Sequence, residues 1–193
     1  MIIEEEQINA DFFRAYMYGY LKEQLGALNL SGEGVEFGAT NGIIQSYCGP
    51  GVKFHESRDF PKYDVCDSGS YERNWDVIVT DQVLEHTKKP WEAFRLWGMH
   101  GKTVVLTVPF LMYVHAFPGD FWRMTTDAIK FLAIENGFKE YDIRSWGNKK
   151  AVGWLFETGG WHPPSRISKE EMWENVYEND PKHPFVIWAI LRK

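Results

Sequence analysis

Two histidines, several acids and a glycine-flanked turn are the parts of this sequence best suited to chemistry. His86 closes the run Thr80-Asp81-Gln82-Val83-Leu84-Glu85-His86, and His115 follows further on, with Asp120, Trp122 and Arg123 close behind it. An imidazole is half-neutral near physiological pH, so either histidine can act as a general base toward an acceptor hydroxyl; His86 can equally cap the helix that follows. Arg123 can hold a carboxylate or phosphate bidentately, or pair with Asp120 and fix its own loop. Upstream, the turn Gly38-Ala39-Thr40-Asn41-Gly42 leaves an apolar run that carries one acid, Glu36. Glycine lets backbone approach a ligand closely, and a carboxylate inside an apolar strand needs a partner. Glu56 ends the next strand-like run, where it can accept both hydrogen bonds of a ribose diol or stand as an exposed charge. Asp67 sits where a third strand would deliver an acceptor toward an adenine amino group.

These residues form a site only if the chain brings them to one place. Phe12, Phe13, Tyr16, Tyr20, Leu21 and Leu25 recur at three- and four-residue spacing, which predicts a helix over about Asn9 to Leu28, capped by Asn9 or Asp11. Short apolar and β-branched runs predict strands at Val35–Phe37, Val52–Glu56, Tyr63–Cys66, Trp75–Thr80 and Thr103–Val108. Helices are expected over Pro90–Met99 and Thr125–Asn136, the latter stopped by Gly137, then a strand from Phe138 to Ser145. Residues 146–183 have weak periodicity and read as an insertion with one short helix around Lys169–Tyr177; Trp154, Phe156, Trp161 and His162 in it can wall a pocket or pack the insertion down. Phe185–Leu191 closes the chain as a strand. Alternation of this kind implies a sheet covered on both faces, with ligands beyond the carboxyl ends of its strands. The segments after Phe37, Glu56, Cys66, Thr80 and Val108 then converge.

Composition narrows the options. A chain of 193 residues fits one domain, 1–193, with an N-terminal helix in residues 1–30. The net charge of −6 argues against a nucleic-acid partner, which calls for a basic face. Cys48 and Cys66 make neither a disulfide framework nor a metal-ligand spacing, so no metal is expected and a cytoplasmic setting is. The opening Met1-Ile2-Ile3-Glu4-Glu5-Glu6 is not a charged-then-apolar leader, and no apolar run approaches the roughly 18 residues of a membrane span, so no membrane partner is expected. The phosphate-cradling GxxxxGK[ST] loop and the dinucleotide pattern GxGxxG are both missing.

The segment from Thr80 to His86 with Pro90, followed by Val108-Pro109-Phe110 and Arg123-Met124-Thr125, resembles the class I S-adenosylmethionine-dependent methyltransferases, in the branch whose fourth strand leads into a VLEH…P segment. The resemblance runs from about Val35 to Phe138, and the strand at Phe185 matches the family's last, antiparallel one. It implies an α/β, Rossmann-like fold: a seven-stranded, mostly parallel sheet in the order 3-2-1-4-5-7-6, helices on both faces, and the insertion before the last strand. It implies S-adenosyl-L-methionine as cofactor. Glu36, Gly38, Ala39 and Gly42 match the first motif, E-x-G-x-G-x-G, under the methionine portion and ribose, with Thr40 in place of the middle glycine. Glu56 matches the acid on the ribose hydroxyls, Asp67 and Ser68 the border of the adenine, and Thr80, Asp81 and Gln82 the loop beside the methionine end. The implied activity is methyl transfer to a small-molecule acceptor, with His115 and His86 as candidate bases and Asp120, Trp122 and Arg123 as candidate acceptor contacts. The alternative, prompted by Thr40, is a methyltransferase-like domain that binds a ligand or partner without catalysis. A nicotinamide-dependent oxidoreductase is disfavoured by the missing GxGxxG.

Overall fold

Val77 and Val79 face one side of the molecule's sheet, Ile78 the other, and Val105 opposes Val104 and Leu106 in the same way. Strand periodicity of two thus supplies both faces with apolar surface. The computed structural model describes residues 3–38, 42–55, 57–115 and 118–193. Its strands are β1 (Gly32–Phe37), β2 (Val52–Phe54), β3 (Trp75–Asp81), β4 (Gly101–Pro109), β5 (Glu140–Trp146) and β6 (Val186–Arg192). They lie in the order β2-β1-β3-β4-β6-β5. The first four are parallel, and β6 runs antiparallel to both its neighbours.

The sheet therefore has six strands among the described residues and not the seven expected. The missing one is the strand over Tyr63–Cys66, which folds as turns. The Asp64 carboxylate accepts the Cys66 amide at 2.8 Å, and the Asp64 carbonyl accepts the Asp67 amide at 2.9 Å. Local bonds of this kind consume the donors a strand would offer its neighbour. Upstream of it, Arg58 forms an isolated bridge to the sheet opposite Phe37.

One face is covered by α1 (Glu5–Ala27), α2 (Ile43–Tyr47), α5 (Lys149–Thr158) and α6 (Lys169–Val176), the other by α3 (Pro90–His100) and α4 (Thr126–Glu135). The apolar stripe of α1 buries Phe12, Phe13, Met17, Leu21 and Leu25 against Trp146, Phe185 and Trp188. α1 starts earlier than its apolar spacing indicates and breaks at Asp11, whose backbone is extended. α5 lies in the stretch read as having only one helix. Its signals are local: the Asn148 side chain accepts the Ala151 amide at 2.8 Å, Ala151, Trp154 and Leu155 are buried, and left-handed Gly159 ends it. No helix among the described residues is long and apolar enough to cross a membrane. Because β1, β3 and β4 are parallel, the chain leaves them at Gly38, Gln82 and Phe110 along one edge. The candidate site is built there.

Candidate functional site

At the exit of β1, Gly38 has a φ of +101°, and a Cβ there would lie 2.6 Å from Cγ2 of Val83. Only glycine fits both the angle and the space, so the β1 turn is pressed against the loop that follows β3. Gly42, also left-handed at +68°, caps α2. Glu36 is fully buried one residue inside β1's last position, and the Gln45 side-chain amide donates to its carboxylate. The acid in the apolar strand is thus answered from α2. Ala39, Thr40 and Asn41, and likewise Glu56, lie outside the described residues. Asp67 and Ser68 are exposed; instead of riding on a strand, Asp67 caps a single 3₁₀ turn, Ser68–Ser70, accepting the Gly69 amide at 3.0 Å.

The end of β3 is tied down on two sides. Asp81 is 3% exposed, accepts the Tyr18 hydroxyl at 3.2 Å and accepts the Thr107 hydroxyl of β4. Burial raises the Asp81 carboxyl above its usual range, against the pull of the Arg14 charge and the two hydroxyls. Tyr18 in turn receives Arg14 at 3.3 Å, and Arg14 Nε donates to Asp11 at 2.5 Å. Gln82, left-handed at a φ of +56°, sends its amide and its side-chain nitrogen to Thr107 Oγ1 at 3.1 and 2.9 Å. Thr80 is fully buried, its hydroxyl without a hydrogen-bond partner among the described residues. The side chains of Thr80, Asp81 and Gln82 are therefore engaged in or sealed by the fold, and the backbone is what this loop presents. Asp11, Arg14 and Tyr18 are absent from the sequence reading of the site. Their signal was a polar line at steps of three and four on a helix read only for its apolar stripe.

Beyond Gln82 a 3₁₀ turn, Leu84–His86, places Glu85 inward at 1% exposure. Neither Glu85 oxygen has a hydrogen-bond partner among the described residues. Burial pushes this carboxyl up to about 8, with the Arg123 charge pulling the other way. His86 Nε2 stands 3.7 Å from Glu85 Oε1, and the His86 and His115 rings meet edge to face with centroids 5.1 Å apart. The two candidate bases named from sequence are thus neighbours, and Glu85 offers an oxygen within 4.8 Å of a ring nitrogen of each. His86 Nδ1 donates to the Gly119 carbonyl, and the Glu85 carbonyl accepts the Phe121 amide at 2.7 Å, which fastens the loop after β4 to the turn after β3. Burial holds the His115 imidazole below its usual value.

Asp120 and Arg123 are also here, but their charges face each other. Arg123 forms a two-pronged pair with Asp120, one arm at 2.6 Å, and also donates to the carbonyls of Trp122 and Tyr113 at 2.9 and 3.2 Å. Asp120 additionally accepts the His115 amide at 3.0 Å, and Arg123 holds its carboxyl down to about 2. Of the two roles open to Arg123, fixing its own loop is the one its contacts fill. Trp122 packs its ring against Trp91 of α3, 5.9 Å between centroids. From the 146–183 segment, Trp161 reaches the cluster: its ring lies 6.1 Å from His115 and carries the Arg14 guanidinium at 5.4 Å. Trp154 is core, packed on Phe12.

No protein-family model matches the sequence, and none of the curated proteins does. Solved structures do match in fold. The chain is similar to a SAM-dependent methyltransferase from Archaeoglobus fulgidus, at 15% identity and a TM-score of 0.59 over 93% of this chain and 94% of that one. It is similar to phosphoethanolamine N-methyltransferase 2 of Haemonchus contortus, solved in complex with S-adenosyl-L-methionine, at 12% identity and a TM-score of 0.57 over 91% of this chain and 52% of that one. A putative methyltransferase from Bacillus halodurans matches at 12% identity and 0.51, over 91% and 98%. At such identities the likeness is one of fold, a helix-covered α/β sheet of Rossmann-like type.

Proposed function

We propose that this chain is an S-adenosyl-L-methionine-dependent methyltransferase acting on a small-molecule acceptor, all of residues 1–193 serving as one catalytic unit. The observation that supports it most is the meeting of two features on one sheet edge: the glycine-shaped exit of β1, pressed on Val83, and the cluster in which Glu85 and His86 of the loop after β3 meet His115 of the loop after β4. The turn suits the cofactor because Gly38 offers main chain with no side chain over it. When bound, S-adenosyl-L-methionine supplies a sulfonium-activated methyl group for in-line displacement by an acceptor oxygen, nitrogen or carbon.

In this reading Gly38, Ala39, Thr40 and Gly42 form the cradle under methionine and ribose, and Glu36 holds that cradle to α2 through Gln45. Glu56 takes the ribose hydroxyls, Asp67 and Ser68 border the adenine, and the backbone of Thr80, Asp81 and Gln82 lines the methionine end. His115 and His86 face the acceptor, where an imidazole takes the proton a nucleophilic hydroxyl or amine releases. Asp120 and Arg123 hold the acceptor loop in place, with Trp122 bracing it on α3 and Trp161 closing the site from the opposite side. Holding donor and acceptor in line is the protein's main contribution.

Thermal shift with S-adenosylhomocysteine tests the cradle. A ligand at a hundred times its dissociation constant stabilises the folded state by about 2.7 kcal/mol, so the wild type melts several degrees higher in its presence. Gly38→Ala, checked for an intact fold by circular dichroism, loses that shift. An equal shift in the variant would remove the β1 turn from the site.

A further inference from the structure

Glu85, His86 and His115 each offer one donor atom, and these atoms lie within 4.8 Å of one another. Donors sharing a cation at about 2 Å stand roughly 3 to 4 Å apart, so the 3.7 Å between His86 Nε2 and Glu85 Oε1 already fits, and the His115 donor lies within 4.8 Å of both. We propose that these three residues bind a divalent first-row transition cation.

The protonation of both rings points the same way. His86 Nδ1 contacts the Gly119 carbonyl, which only accepts, so that nitrogen carries a hydrogen and Nε2 is the atom a cation would take in the neutral ring. His115 repeats the pattern: its Nδ1 faces the Tyr113 carbonyl at 3.4 Å and the Asp120 carboxylate at 3.3 Å. An imidazole whose far nitrogen is held by a carbonyl or carboxylate is the usual state of a metal-binding histidine. Asp120 itself is fixed by Arg123, so the supporting contact is rigid.

Glu85 supplies the independent observation. Its two oxygens are buried and have no hydrogen-bond partner among the described residues, the His86 ring nitrogen stands 3.7 Å from one of them, and the Arg123 guanidinium is paired with Asp120. A buried carboxylate without a donor is costly, and a cation is the counter-charge that removes the cost. Two imidazoles and one carboxylate suit zinc, cobalt, iron or manganese over magnesium or calcium, which prefer oxygen alone. Three protein donors also leave a position open for water or an acceptor oxygen. With a cation in place the imidazoles act as ligands, and the ion takes over the task of lowering the acceptor's proton affinity. Cation binding does not depend on methyl transfer, and it is read without it.

The test titrates Co2+ into chelator-stripped full chain, following ligand-field absorption, with Zn2+ competition in a calorimeter. One equivalent is expected to bind with visible bands, and Zn2+ to displace it. Glu85→Gln and His115→Ala, each folded by circular dichroism, weaken binding roughly tenfold or more, whereas His183→Ala, outside the cluster, leaves it unchanged. A wild type that binds no Co2+ overturns the proposal even if a variant fails to fold. So does wild-type affinity in either cluster variant, or binding lost with His183→Ala.

Discussion

Asp81 and Glu85 leave the same strand four residues apart and are buried alike, at 3% and 1% exposure, yet only one of them is answered. Asp81 receives hydroxyls from Tyr18 on α1 and Thr107 on β4, joining helix, strand and neighbouring strand. Glu85 receives no hydrogen bond from any described residue and sits beside two imidazoles. The difference separates structure from function at one sheet edge. A buried carboxylate with partners fixes the backbone that presents a ligand, and one without them is the candidate for the cation proposed above.

The largest effect expected from breaking this contrast is on Asp81. Asp81→Ala strands the Tyr18 and Thr107 hydroxyls inside the fold and costs about 2 to 3 kcal/mol, read as a lower urea midpoint at unchanged slope. Glu85→Gln removes no hydrogen bond and shifts stability by less than about 0.5 kcal/mol, while abolishing most cation affinity; a loss as large as that of Asp81→Ala would make Glu85 part of the scaffold. A third carboxylate sharpens the comparison from the surface. Arg58 holds the half-exposed Glu72 carboxyl down to about 2 from 4.5. A folded value below the unfolded one contributes stability above pH 4.5 that disappears as pH falls through about 2. Glu72→Gln therefore lowers stability by under about 1 kcal/mol near neutrality, after screening by solvent, and the difference closes toward pH 2 in denaturation curves.

What periodicity governs was legible. The apolar spacing of α1, α3 and α4, the β-branched run of β3 and the closing strand all appear where the residues imply, because burial of one face selects them. The strand over Tyr63–Cys66 was misread because a single side chain, Asp64, redirects the backbone bonds, which composition does not reveal. α5 was missed although Asn148 and Gly159 bound it, since the Trp, Lys and Gly of that stretch hide a three-to-four spacing. Of the site, His86 and His115 were each recognisable by type. Trp161 was among the aromatics read as a possible pocket wall, but the contact of the two histidines required the loop after β4 to meet the turn after β3, and the part of Arg14 and Tyr18 required α1 to pack on the end of β3.

The central claim is that this edge seats S-adenosyl-L-methionine, and isothermal calorimetry on the wild-type chain tests it most directly. Saturable binding of one cofactor per chain is the predicted result, with S-adenosylhomocysteine competing for the same site. A folded chain that gives no binding heat at millimolar cofactor at two temperatures would contradict it.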